Sequence, residues 1–100
     1  RITVERMVEL LSTAPARIYG LPDKGVVGVG FDADLVIFDP QAQYTVHTAD
    51  QYLPVGFTIF EGMKFKGRPV YTISQGQVIV DHGQFVGQPG SGRFIARKLQ

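Results

Sequence analysis

The residues Gly30-Phe31-Asp32-Ala33-Asp34-Leu35 set two carboxylates two positions apart at the entry to an apolar run. Such a pair can contribute to a cation site, or it can order the start of a strand. Magnesium and calcium take about six or more oxygen ligands, and two side chains supply too few. On an extended chain, residues two apart point to the same side, so the two charges repel unless donors meet them. Aspartate commonly finds those donors among the backbone N–H groups of its own turn. Asp32 and Asp34 are therefore expected to organise a turn into a strand, with metal binding as the disfavoured rival.

The other chemistry-bearing residues are sparse. His47 and His82 are the two histidines, with no carboxylate motif around either. A structural metal site needs three or four ligands in defined geometry, so a histidine metal site is disfavoured and His82 is expected to sit solvated in a turn. Ser12, Ser74 and Ser91 lie in no nucleophile-elbow context. Gly25-Val26-Val27-Gly28-Val29-Gly30 has glycines in the order G-x-x-G-x-G and leads toward a strand, whereas a phosphate cradle opens a helix. Gly87-Gln88-Pro89-Gly90-Ser91-Gly92 lacks the lysine of a phosphate-binding loop. No residue is assigned as catalytic, cofactor-binding or metal-ligating.

Composition narrows the class. The 100 residues are 44% hydrophobic and 19% charged, which suits one globular domain at most. A net charge of +1, with basic residues clustered only at Arg93, Arg97 and Lys98, argues against a nucleic-acid partner. The absence of cysteine removes thiolate metal sites and disulfides and is compatible with a reducing cytoplasm. No apolar run approaches the roughly 18 residues of a membrane span, and no basic-then-apolar leader opens the chain. The start on Arg1, directly in a helical pattern, reads as a cut inside a longer protein.

The elements that would carry these residues can be read in order. Thr3 is a candidate N-cap, with Ile2 and Met7 at staple positions. Val4, Met7, Val8 and Leu11 form one apolar stripe, widened by Leu10, with Glu5, Arg6 and Glu9 facing away. A break is expected at Ser12 to Ala14, then a one-turn helix from Pro15 closing at Gly20. Leu35 to Phe38, bounded by Asp39-Pro40, reads as a strand, and Tyr44 to Thr48 as a second one pairing with it. Val70–Ser74 and Gln77–Val80 form a hairpin through Gln75-Gly76, and Gln84–Val86 follows the turn Asp81-His82-Gly83. Residues 56–69 carry Phe57, Phe60 and Phe65 and are expected to be a loop whose aromatics plug the core. The rival is an apolar surface packed on another domain or subunit. From Arg93 to Leu99 an extended or short helical arm is expected.

The order of these pieces resembles the C-terminal end of the amidohydrolase superfamily. Leu11-Ser12-Thr13-Ala14-Pro15-Ala16-Arg17-Ile18-Tyr19-Gly20-Leu21 is similar to its "NPA-x-x-x-GL" turn. Lys24-Gly25 followed by Gly30-Phe31-Asp32-Ala33-Asp34-Leu35-Val36 is similar to its "KG-x-I-x-x-G-x-DADLV". Phe60-Glu61-Gly62-Met63-Lys64, Lys66-Gly67-Arg68-Pro69, Gly83-Gln84-Phe85-Val86-Gly87 and Gly90-Ser91-Gly92-Arg93 resemble the hydantoinase and dihydropyrimidinase branch, of which dihydroorotases and allantoinases are close relatives. Ala14 stands where the family has asparagine.

The resemblance implies a parent that hydrolyses a cyclic amide such as a hydantoin or dihydropyrimidine. It implies two divalent metals, zinc expected, held on a TIM barrel by histidines, an aspartate and a carboxylated lysine outside this chain. Residues 1–21 would be the last barrel helix and its exit turn, 22–88 strands of a small β-sandwich, and 89–100 a C-terminal arm. The fold class expected is thus mixed α and mainly β. The function implied is non-catalytic and structural, with the rest of the parent and a second copy as partners. The alternative is a free-standing β domain that binds a protein partner through Phe57, Phe60 and Phe65.

Overall fold

A computed structural model describes residues 2–52 and 55–98; Leu99 and Gln100, the end of the expected arm, lie outside them. The chain begins as α1 (Val4–Val8), capped where the Thr3 hydroxyl accepts from the Arg6 N–H at 3.1 Å. The expected break at Ser12–Ala14 does not occur. The helix runs on through a π-helical turn, Glu9–Thr13, directly into α2 (Ala14–Ile18). Pro15 explains the wider turn. It has no N–H to donate, and its ring would strike the carbonyl four residues back in a regular α-helix. The Ala14 N–H reaches five residues back, to the Glu9 carbonyl, and the extra residue in the turn makes room. At the far end Gly20 adopts φ +67°, and Leu21 and Gly20 donate to the Ala16 and Arg17 carbonyls at 2.9 and 3.3 Å. This pair of bonds is the glycine-dependent C-terminal closure expected there.

Among the described residues four strands follow in an antiparallel meander: β1 (Leu35–Thr45), β2 (Lys64–Ser74), β3 (Gln77–Asp81) and β4 (Gln84–Phe85), in the order β1-β2-β3-β4. The two strands expected over Leu35–Phe38 and Tyr44–Thr48 do not pair with each other; Leu35–Phe38 and Tyr44–Thr45 are two parts of β1 and both pair with β2, while Thr48 opens a 3-10 turn, Thr48–Asp50. Pro40 cannot donate to a ladder, so it sits where β1 bulges out between the pairs Asp39–Arg68 and Gln43–Lys66. The Gln41 N–H donates to the Asp39 carboxylate at 2.9 Å and closes that bulge. Opposite it, Gly67 takes φ +97°, where a Cβ would lie 2.9 Å from the Phe38 ring.

Residues 64–69, expected in a loop, are therefore the first half of β2. The β2–β3 turn is as expected: Gln75 and Gly76 both have positive φ, at 51° and 80°, giving a turn whose twist matches the strands. His82 and Gly83 repeat the solution at the next turn. The arm 93–98 is without helix and returns to the helix end, where Lys98 N–H donates to the Gly20 carbonyl at 2.6 Å.

Almost nothing is enclosed. Among the described residues Ala16 is the one buried hydrophobic side chain. Phe57 and Phe60, expected to plug a core, are 67% and 48% exposed, so that expectation fails and an apolar surface takes its place. The chain presents 8328 Å² to solvent, against about 5,600 Å² for an ordinary folded chain of its mass. Its radius of gyration is 15.5 Å, where about 13 Å is usual for this length.

Candidate functional site

The densest polar constellation is centred on Lys24. Its ammonium lies 2.9 Å from Asp32 Oδ2 and is hydrogen-bonded to Asp34 Oδ2 as well. Asp34 uses its other oxygen to accept the Gln75 N–H at 2.9 Å, at the tip of the β2–β3 turn. The Asp32 N–H donates to the Asp23 carbonyl, and the Gly76 N–H to the Ala33 carbonyl at 3.0 Å. The repulsion between the two aspartates is thus met by donors distant in sequence, and not by N–H groups of their own turn. Asp32 and Asp34 do order the entry to β1.

The electrostatics follow from this geometry. The hydrogen bonds that Lys24 donates to Asp34 first, and to Asp32 second, raise its pKa. The Lys24 hydrogen bond first, and the Gln75 N–H second, hold the Asp34 carboxyl below its usual range. Lys24 keeps only 18% of its side chain exposed, against 31% and 37% for the two aspartates. A cation of the protein's own already occupies the space between these carboxylates. They do not fit a divalent metal site, and no group of three His, Cys, Asp or Glu side chains forms one elsewhere among the described residues.

The remaining candidates are scattered. His47 Nδ1 lies 3.4 Å from Glu61 Oε2 at an exposed position. His82 is in its expected turn, exposed, with Nδ1 2.5 Å from Asp81 Oδ1 and its ring edge-on to Tyr71. Ser12 and Thr13 hydroxyls both donate to the Gly25 carbonyl, at 3.3 and 2.8 Å. Ser74 ends β2, and Ser91 closes a turn on Gln88. The glycines from 25 to 30 lead into β1 with no helix following. None of these brings a nucleophile, a base and an orienting group together.

Lys24 had no assigned role in the sequence reading, although one lysine followed by two nearby aspartates is a legible charge pattern. Arg68 was missed too: its guanidinium stacks 5.2 Å over the Tyr44 ring, which in turn stacks on Phe65. Phe65 is thereby engaged within the sheet, while Phe57 and Phe60 remain exposed. Among the described residues no helix is long and apolar enough to cross a membrane.

A D-hydantoinase of Geobacillus stearothermophilus is 43% identical over 98 residues, covering 97% of this chain and 21% of its own length. The dihydropyrimidinase of Rattus norvegicus is 45% identical over 94 residues, covering 93% of this chain and 18% of its own. A crystal structure of a D-hydantoinase superposes with a TM-score of 0.92 at 41% identity, covering 98% of this chain and 22% of that one. The chain spans about a fifth of the length of these relatives. Its similarity is to the hydantoinase and dihydropyrimidinase branch, as the motifs at Phe60-Glu61-Gly62-Met63-Lys64 and Lys66-Gly67-Arg68-Pro69 imply. The Amidohydrolase family model matches residues 1–80, four-fifths of the sequence, and the chain belongs to that family.

Proposed function

We propose that these residues form a non-catalytic, structural part of a metal-dependent cyclic amidohydrolase that opens a hydantoin-like or dihydropyrimidine ring. In this reading α1 to α2 is the last helix of a TIM barrel and its exit, the sheet is part of a small β-sandwich completed by strands from elsewhere in the parent, and 89–100 is an arm for subunit contacts. The parent would work in the cytoplasm as a homo-oligomer.

The observation that carries the reading is the exposed apolar surface. Val4, Val8 and Leu11 on the helix, and Val36, Ile37 and Phe38 on β1, are all 43% exposed or more. Burial of such surface is the main favourable term in folding, so a stable protein must cover it with something. The relatives are about five times longer, and the corresponding remainder of the parent would be the cover. Two divalent metals would supply the parent with an activated water and a polarised carbonyl. The described residues offer no matching donor set, so their ligands would come from the rest of the parent.

The experiment is hydrodynamic. Residues 1–100 purified alone should self-associate and bind an apolar reporter dye. A monodisperse 11.0 kDa monomer with no dye binding would refute the proposal.

A further inference from the structure

We propose that the loop 20–34 is a coupling clasp, with Lys24 the positioning residue that locks the sheet to the helix. Among the described residues no strand packs directly against α1, the π-helical turn or α2. Apart from the arm that meets Gly20, the helix and the sheet communicate through this loop. On the helix side the loop is seated by the Ser12 and Thr13 hydroxyls on the Gly25 carbonyl. The seat is tight: a Cβ at Gly25 would lie 2.6 Å from the Ala16 Cβ. On the sheet side Asp34 and Ala33 accept the Gln75 and Gly76 N–H groups of the β2–β3 turn.

Lys24 is adjacent to Gly25 and joins the two sides through Asp32 and Asp34. Without that link the loop is a poor spacer. It has positive φ at Gly20, Asp23, Gly25 and Gly30, and residues 21–34 form no helix or strand. Backbone without a regular hydrogen-bond ladder opens locally at low cost. The ammonium therefore turns a hinge into a rigid connector, and the π-helical turn sets Ser12 and Thr13 where they can hold its other end. This role is independent of the reaction that the parent catalyses.

The test is amide hydrogen exchange in the full-length protein containing this chain. Lys24→Met keeps the aliphatic stem and removes the charge. It should accelerate exchange of the Gln75 and Asp32 amides about five- to tenfold, with β2–β3 ladder amides such as that of Thr72 unchanged. Lys24→Arg should return those rates to within about threefold of wild type. Asp32→Asn leaves the Asp34–Gln75 bond in place and should give a smaller acceleration of about twofold at Gln75, which serves if Lys24→Met fails to fold. Unchanged exchange at Gln75 in Lys24→Met, or equal acceleration across all of β2 and β3, would overturn the clasp; so would unchanged exchange in Asp32→Asn.

Discussion

Leu11→Ala separates surface that is exposed for good from surface awaiting a partner. Leu11 is 74% exposed, so roughly a quarter of its side chain is covered within these residues. Full burial of a leucine contributes about 1.5–3 kcal/mol, so its contribution within the chain alone is about 0.5 kcal/mol. If the parent covers the stripe of Val4, Met7, Val8 and Leu11, truncation there removes transfer energy and leaves a cavity. The cost then rises to about 2–5 kcal/mol. The assay is urea unfolding of the full-length protein, compared with Glu5→Ala on the exposed opposite face, where a change within about 0.5 kcal/mol is expected. A large loss for Leu11→Ala beside a neutral Glu5→Ala is the predicted result. Equal, small losses for both would refute the claim that this face is covered.

Gly25→Ala should cost about 2–4 kcal/mol, because it combines a clash with Ala16 and a φ of +95° that alanine tolerates poorly; denaturant titration checks it. The Lys24 link also fixes a pH dependence. Asp34 has a folded pKa below its unfolded value, so its contribution is full above the ordinary aspartate range near 4 and is lost as pH falls through the folded value. Lys24 has a raised folded pKa, so its contribution is full below the ordinary lysine value near 10.4 and is lost at higher pH. The stability gap between wild type and Lys24→Met should therefore be flat between about pH 4 and 10 and shrink outside that window, as followed by unfolding midpoints. A gap that stays constant down to pH 2 would contradict the ion pairing.

What the sequence made legible was local. Thr3 caps the first helix and Gly20 closes the last because each acts within one turn of itself. Gln75-Gly76 forms its turn because the residue pair and the flanking β-branched runs suffice to specify it. Asp32 and Asp34 were correctly placed at a strand entry, but their partners were not. Lys24 and Gln75 reach them only after the loop and the β2–β3 turn have folded together.

The proline positions misled in opposite ways. Pro15 was read as restarting a helix and Pro40 as ending a strand, since each lacks a donor. The structure instead widens the helix at one and bulges β1 at the other, and both elements continue. The exposure of Phe57 and Phe60 is illegible for a different reason: an apolar residue left at the surface is patterned like one bound for the core.

In the proposed function this region supports catalysis without performing it. The direct measurement is hydrolysis of dihydrouracil and hydantoin, with divalent zinc supplied, by residues 1–100 alone and by the full-length protein. Ring opening by the full-length protein and none by the 100 residues is the result expected. Turnover by the 100 residues alone would contradict the account, and Asp32 and Asp34 would then be the first side chains to replace.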